Sequence, residues 1–133
     1  MNSLLSTVVV ALCTLAAIPS AIASPVAPPQ PDTNFSATCT NIGVNLSTLV
    51  LTATCQRSGG VGTTTSSIGL NSCISNTNGE LTTGNGFSSS CQNIGFSGVN
   101  LSAQCKTPSG TFINTSIDLN VVFSNNNGLL TCP

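Results

Sequence analysis

Apolar residues recur at every second position in two stretches of the chain. The first stretch carries Leu49, Leu51, Ala53 and Cys55, and residues 99–105 repeat the pattern as Val-x-Leu-x-Ala-x-Cys. Successive side chains of a β-strand point to opposite faces, so a period of two places these residues on one face. The pattern therefore predicts two strands, each with one buried face and each ending at a cysteine.

Two Asn-Gly dipeptides lie between short apolar stretches, in NTNG at 76–79 and in NNNG at 125–128. This dipeptide tolerates the positive φ angles of tight hairpin turns. We predict β-hairpins near residues 73–82 and 122–132. The apolar pairs that precede them fit either a 3₁₀ turn or a further strand: Ile68 with Leu70, and Ile117 with Leu119.

These elements belong to an internal repeat with a spacing of about 50 residues. NFSATCTNIG at 34–43 returns as GFSSSCQNIG at 86–95. Likewise LTATCQRSGG returns as LSAQCKTPSG, and SSIGLNSCISNTNGEL returns as TSIDLNVVFSNNNGLL. Two copies are too few for a solenoid, in which every unit covers its neighbours. The repeat therefore predicts one closed, pseudosymmetric domain in which each half covers the other.

Length and charge bound the class of function. A chain of 133 residues has room for one compact domain, or for two very small ones that share a core. Only 4% of the residues are charged, with two Lys or Arg against three Asp or Glu. No basic face is available to attract a phosphate backbone, which excludes nucleic acid as a partner.

The most apolar segment is the N terminus, where LLSTVVVALCTLAAI is followed by PSAIAS. It ends in the small-x-small pattern Ala21-Ile22-Ala23, which predicts a secretory signal peptide at residues 1–23. A membrane anchor is the alternative, for which the run is short. Repeated prolines predict an unstructured leader at 24–33, with the folded domain at 34–133. We expect a secreted, extracellular protein without membrane association in its mature form.

Cysteine usage agrees with export. One of the seven cysteines, Cys13, lies in the predicted signal peptide. The other six form an even set, which in an exported chain predicts a disulfide framework; they are Cys39, Cys55, Cys73, Cys91, Cys105 and Cys132. Zinc is the alternative, but the chain has no His and no CxxC pair. We expect neither a metal site nor a cofactor.

Catalysis is poorly supported by the residue types. The only carboxylates outside the signal peptide are Asp32, Glu80 and Asp118, and Asp32 lies in the leader. A glycosidase needs two carboxylates across a sugar, and Glu80 and Asp118 occupy different parts of the repeat. A triad needs a His base, and a thiol nucleophile needs an unpaired cysteine. We therefore expect that the protein is not an enzyme.

An ordered series of motifs occurs in both halves: F-x-x-x-C-x-N, L-x-A-x-C, S-I-x-L-N and N-x-N-G-x-L. Over residues 34–132 the chain resembles the cyanovirin-N homology domains, small two-repeat lectins of cyanobacteria, fungi and ferns, and is identified as a secreted, fungal-type member. The resemblance implies an all-β, cyanovirin-N-like fold with two strand-exchanged halves. Each half is a three-stranded antiparallel sheet plus a β-hairpin. Half A comprises about 34–73 with 122–133, and half B about 74–121.

The resemblance also implies the disulfide pairing. In the family, the first two cysteines of each repeat pair locally, which gives Cys39–Cys55 and a second bridge from Cys91 to Cys105. The exchanged topology then brings the remaining two together, and we predict a third bridge between Cys73 and Cys132.

Similar proteins bind oligomannose, especially terminal α1,2-linked mannose, in one pocket per half. The matching positions in half A are Asn34, Ala37, Thr38, Gln56, Arg57, Asn125, Asn126 and Asn127. Those in half B are Ser75, Asn76, Asn78, Ser89, Ser90, Lys106 and Thr107. Clustered amides and hydroxyls suit sugar hydroxyls, which both donate and accept.

The chain departs from the best-known relatives where they carry acidic residues. Neutral residues stand at those positions: Ser75, Asn78, Ser89, Asn127 and Gln56. A neutral amide is a weaker acceptor than a carboxylate, and no Trp or Tyr offers a ring to a sugar face. We expect weak or altered binding of mannose-containing glycans. The alternative is a secreted interaction or cell-surface protein that has lost sugar binding, because turn geometry alone also favours Asn in hairpins.

Two further features complete the sequence picture. Four Asn-x-Ser triplets are acceptors for N-glycosylation, at Asn34, Asn45, Asn100 and Asn114. A glycan on Asn34 is expected to crowd the pocket of half A. The glycine-containing segment TTGNG at 82–86 joins the repeats and is a hinge for strand exchange between chains. We expect a monomer, with a domain-swapped dimer as the alternative.

Overall fold

The computed structural model describes residues 33–133, so the predicted signal peptide and residues 24–32 of the predicted leader lie outside the described residues. Within this range the chain forms ten β-strands and five single turns of 3₁₀ helix. The strands are β1 Cys39–Asn45, β2 Val50–Gln56, β3 Thr63–Gly69, β4 Ile74–Thr77, β5 Glu80–Thr83, β6 Cys91–Ser97, β7 Asn100–Lys106, β8 Phe112–Asp118, β9 Ser124–Asn126 and β10 Leu129–Thr131. The 3₁₀ turns are Phe35–Ala37, Ser58–Gly60, Leu70–Ser72, Phe87–Ser89 and Leu119–Val121. Among the described residues no helix has the length and apolar character to span a bilayer.

The strands form two three-stranded antiparallel sheets, β1-β2-β3 and β6-β7-β8, and two hairpins, β4-β5 and β9-β10. Strands β2 and β7 confirm the two alternating stretches, with Leu51, Ala53 and Cys55 buried on one face. Leu49 instead lies in the turn before β2, at a φ of 56°. A strand and a 3₁₀ turn were the alternatives for the pair Ile68 and Leu70, and the structure contains both. Ile68 lies in β3, and Leu70 begins the following 3₁₀ turn.

Each hairpin packs against the sheet of the other repeat. The backbone N–H of Leu130 in β10 donates to the buried hydroxyl of Ser66 in β3, at 2.9 Å. At the matching place, the N–H of Leu81 in β5 donates to the hydroxyl of Thr115 in β8, at 3.1 Å. These hydroxyls satisfy edge-strand donors where the hairpin meets the sheet. The exchange, together with the all-β architecture, confirms the predicted fold class.

One hydrophobic core serves both halves. The buried apolar side chains of both sheets and both hairpins belong to a single cluster. Three phenylalanines, Phe35, Phe87 and Phe123, are fully buried in it. Phe35 and Phe123 come from opposite ends of the domain and meet edge to face, with ring centroids 6.2 Å apart. Neither repeat could cover these rings alone, which explains why the halves are interlocked.

The three disulfides join the predicted pairs. Cys39–Cys55 and Cys91–Cys105 link residues directly opposite each other on adjacent strands, with sequence separations of 16 and 14 residues. Cys73–Cys132 closes a loop of 59 residues. It connects the residue before β4 with the residue after β10 and therefore joins one end of each hairpin.

Candidate functional site

Two shallow pockets lie at pseudo-equivalent places, one in each half. Pocket A has a volume of about 190 Å³ and is lined by Thr38, Gln56, Arg57, Ser58, Asn125 and Asn127. Pocket B has a volume of about 220 Å³ and is lined by Asn76, Asn78, Ser90, Lys106, Thr107 and Pro108. In each pocket the end of a central strand and the loop after it face the hairpin contributed by the other repeat. The strand exchange therefore builds both pockets.

The repeat relates the two linings position by position. In order from A to B, the matching residues are Thr38 and Ser90, Gln56 and Lys106, Arg57 and Thr107, Ser58 and Pro108, Asn125 and Asn76, and Asn127 and Asn78. Both pockets contain the same two hairpin asparagines, and both contain a hydroxyl side chain, from Thr38 in pocket A and Ser90 in pocket B. The three residues after the second cysteine of each repeat differ, so the chemistry of the pockets differs at the loop.

In pocket A, the side chain of Asn125 fastens the hairpin to the sheet. Its amide nitrogen donates to the hydroxyl of Thr38 and to the carbonyl of Gln56, both at 2.9 Å. Its carbonyl oxygen accepts the N–H of Gly128 at 2.8 Å. Both amide hydrogens are used within the protein, which leaves this side chain one acceptor lone pair. Asn125 therefore holds the pocket wall in place.

Pocket B repeats this arrangement. The amide nitrogen of Asn76 donates to the hydroxyl of Ser90 and to the carbonyl of Lys106, both at 2.9 Å, and its oxygen accepts the N–H of Gly79 at 2.8 Å. Asparagine is the residue that supplies two donors and an acceptor on one short side chain. This requirement explains its recurrence at the start of both hairpin motifs.

The second asparagine of each hairpin forms the turn itself. Asn78 and Gly79 have φ angles of 54° and 95°, and Asn127 and Gly128 have φ angles of 51° and 89°. Two successive positive φ angles are those of a type I′ turn. The predicted Asn-Gly hairpin turns are confirmed.

The turn asparagines differ in their partners. The side-chain oxygen of Asn127 accepts the backbone N–H of Ser58 at 3.0 Å. The residue that matches Ser58 is Pro108, which has no N–H to donate. Within the described residues, the side chain of Asn78 makes no hydrogen bond. At the tip of pocket B the side-chain oxygen of Asn78 therefore has no partner among the described residues, whereas the matching oxygen of Asn127 in pocket A accepts the Ser58 N–H.

Each pocket contains one of the two cationic side chains of the protein, Arg57 in pocket A and Lys106 in pocket B. Residues 33–133 contain no ion pair that involves either of them. The Lys106 ammonium lies 5.5 Å from the centroid of the Phe112 ring, which is opposite it on β8 and 40% exposed. A cation over an aromatic face is attracted by the ring quadrupole. At such an exposed site this attraction is worth about 0.5–1 kcal/mol and favours the position of the ammonium near the ring.

Five residues expected in the pockets lie outside these linings: Asn34, Ala37 and Asn126 in half A, and Ser75 and Ser89 in half B. Asn126 and Ser75 are each next in their strand to a pocket residue, so their side chains point to the other face. The hydroxyl of Ser75 bonds that of Thr82 at 3.0 Å. The hydroxyl of Ser89 donates to the carbonyl of Gly86 at 2.9 Å.

Sequence reasoning missed Ser58 and Pro108. Both directly follow expected pocket residues in the repeated stretch, and a search that extended the matched positions by one would have found them. The four sequon asparagines are exposed. Asn34 is bonded locally, its side-chain oxygen accepting the hydroxyl of Ser36 at 3.3 Å. Asn34 does not line pocket A. Its placement therefore does not support the expectation that a glycan on Asn34 crowds this pocket.

We predict that Asn125→Ala lowers the free energy of unfolding by about 2–3 kcal/mol, because three hydrogen bonds are lost and the Gln56 carbonyl and the Gly128 N–H lose a partner. Chemical denaturation measures this change. The neighbouring Asn126→Ala is the matched control, since its exposed side chain makes no hydrogen bond within the described residues, and it should change stability by less than about 0.5 kcal/mol. Equal effects of the two variants would contradict the fastening role of Asn125.

Comparison with known proteins places these pockets in context. Residues 35–131 match the CVNH domain family. The CVNH protein of T. borchii is 32% identical, with a TM-score of 0.61 over 75% of this chain and 99% of that chain. Microvirin in complex with mannobiose is 31% identical, with a TM-score of 0.61 over 75% of this chain and 98% of that chain. The CVNH protein of Gibberella zeae is 25% identical, with a TM-score of 0.67 over 75% of this chain and 97% of that chain.

Proposed function

The chain belongs to the CVNH domain family, and on this premise we propose that it is a secreted, non-catalytic lectin that binds mannose-containing oligosaccharides weakly through pockets A and B. The observation that carries the proposal is the presence of uncommitted polar groups at the same place in both halves. The matching side chains of Gln56 and Lys106 make no hydrogen bond within the described residues. They stand beside Asn125 and Asn76, which are held rigidly.

This arrangement suits a sugar for a physical reason. Each hydroxyl of a sugar donates one hydrogen and accepts others, so a pocket must offer both functions at short spacing. Pocket A offers the amide of Gln56, the guanidinium of Arg57 and the hydroxyl of Ser58. Pocket B offers the ammonium of Lys106, the free amide of Asn78 and the remaining hydrogen-bonding capacity of the Thr107 hydroxyl, which also bonds the Ser109 hydroxyl at 2.9 Å. Microvirin, with 31% identity, is a relative seen in complex with mannobiose.

Weak binding is expected from the character of these groups. No carboxylate lines either pocket within the described residues, so no acceptor is charge-assisted. Both pockets are also shallow, and a ligand there keeps much of its contact with water. A single pocket is therefore expected to bind mannobiose in the millimolar range, near −4 kcal/mol.

The test is a titration of the mature protein, freed of attached N-glycans, with α1,2-linked mannobiose, followed by NMR so that each pocket reports separately. We expect the double variant Gln56→Ala with Arg57→Ala to weaken binding at pocket A roughly tenfold, the cost of about two hydrogen bonds. The double variant Lys106→Ala with Thr107→Ala should do the same at pocket B. Gln92→Ala, exposed on β6 and outside both linings, is the control and should change neither.

The outcomes separate the two candidate functions. Binding that survives both double variants would place the sugar elsewhere and defeat the assignment of these pockets. No response to any neutral or charged saccharide would remove the lectin proposal and leave a protein that keeps the fold for another interaction. Secretion has its own test, which is N-terminal sequencing of the exported chain. We expect it to begin at Ser24.

A further inference from the structure

We propose that the saccharides selected by these pockets carry an anionic group, a carboxylate or a phosphate, and that pocket A is the stronger of the two anion sites. The proposal rests on the proposed lectin function and names the class of glycan. The first observation is the distribution of charge. The whole chain contains two cationic side chains, and the pockets contain both of them.

The cations are not neutralised within the described part of the chain. Neither Arg57 nor Lys106 forms an ion pair there, and neither lining contains a carboxylate. A structural role would show as a salt bridge or as hydrogen bonds to the protein, and the Arg57 guanidinium makes none within residues 33–133. Its five N–H donors are therefore free for a ligand.

Repetition of the feature strengthens the inference. The two cations are not at matching positions, because Arg57 corresponds to Thr107 and Lys106 corresponds to Gln56. Each pocket thus has one positive charge, and the residue that supplies it stands at a different position of the loop in each repeat. What the halves share is one cationic side chain in a lining that also contains the first asparagine of the hairpin.

Pocket A differs from pocket B in the form of its cation. A guanidinium is a planar fork that binds a carboxylate or a phosphate through two parallel hydrogen bonds. An ammonium is a point charge without this geometry. The Lys106 ammonium is also engaged with the Phe112 ring at 5.5 Å. The Arg57 guanidinium has no such partner among the described residues.

The neighbouring hairpin also favours pocket A. Glu80 follows directly after the turn that supplies Asn78 to pocket B. The matching residue beside pocket A is Leu129, which is uncharged and 56% exposed. A carboxylate on the same hairpin lowers the positive potential around pocket B. Both differences therefore point to stronger anion binding at Arg57.

The experiment compares mannose 6-phosphate, glucuronic acid, mannose and glucose as ligands of the mature protein, by NMR titration at low and at physiological salt. We expect each anionic sugar to bind pocket A about fivefold to tenfold more tightly than its neutral parent at low salt, because one charge-assisted contact is added. The gain should shrink as salt is raised, since exposed charges are screened. The two anionic ligands distinguish a phosphate from a carboxylate as the recognised group.

Variants separate charge from shape. Arg57→Gln should bring the affinity ratio of the anionic sugar to its neutral parent close to one at pocket A, while the affinity for the neutral parent falls only about threefold, the cost of one hydrogen bond. Arg57→Lys should retain part of the preference, because the charge remains and the fork is lost. Lys106→Gln is the matched variant and should change only the smaller preference at pocket B.

The possible results of this experiment test three statements separately: the preference for anionic sugars, the saccharide as the selected ligand, and the lectin function. Equal binding of charged and neutral sugars at low salt, with both weakened in the Gln56→Ala and Arg57→Ala double variant, would overturn this proposal and leave the lectin function intact. Binding of inorganic phosphate as tight as that of mannose 6-phosphate would overturn the saccharide as the selected ligand. A failure of every saccharide to bind would overturn the lectin function itself.

Discussion

Replacing both Cys73 and Cys132 with alanine is expected to lower the free energy of unfolding by about 4 kcal/mol. The reason is the length of the loop that this bridge closes, 59 residues against 16 and 14 for the other two. A longer closed loop removes more conformational entropy from the unfolded chain. Chemical denaturation of the variant under non-reducing conditions measures the change.

The control variant replaces Cys91 and Cys105 with alanine. Their bridge closes a loop of 14 residues, so its loss should lower the free energy of unfolding by nearer to 3 kcal/mol. A second readout follows from the position of the long bridge. Cys73 precedes the hinge at 82–86 and Cys132 follows it, so the bridge ties the two exchanging parts of one chain together. We expect the variant without it, and not the control variant, to form a swapped dimer at high concentration. Light scattering that finds equal dimer fractions would contradict this role.

Phe123→Ala is expected to lower the free energy of unfolding by about 3–5 kcal/mol, because a large cavity replaces a fully buried ring. Phe123 is 0% exposed and packs edge to face on Phe35. Strand β9 begins at the next residue, and Asn125 follows in that strand. The variant should therefore also weaken mannobiose binding at pocket A. Denaturation and the NMR titration measure the two effects.

The internal repeat supplies the matched variant. Ile74 occupies the corresponding position, is fully buried and precedes Asn76 of pocket B. Ile74→Ala should cost about 2–5 kcal/mol and should weaken pocket B in place of pocket A. If both variants weakened both pockets equally, the two halves would not act as separate sites.

Local structure was largely predictable because local chemistry determines it. The alternation that ends at Cys55 predicts β2, and the Asn-Gly dipeptides predict the two turns, where a positive φ is required. The limits appear at element ends. Leu49 continues the apolar alternation but lies in a turn, because the strand pattern carries no information on where pairing stops.

The pocket linings were predictable only in part. Gln56, Arg57, Lys106 and Thr107 lie where the repeated stretch places them. Asn126 was expected beside Asn125 and points to the opposite face. In a strand of three residues, the sequence has too few apolar neighbours to indicate which face is inward.

The duplicated sequence by itself determined the central strands β2 and β7, the two hairpins with their turns and the presence of two like halves, because these depend on side-chain period and on backbone geometry over a few residues. Only the tertiary structure decided which hairpin side chains meet which sheet. Asn125 and Thr38 are separated by 87 residues, and their hydrogen bond exists because the last hairpin packs on the first sheet. That pairing depends on how both repeats together bury one core, which no local stretch of sequence contains.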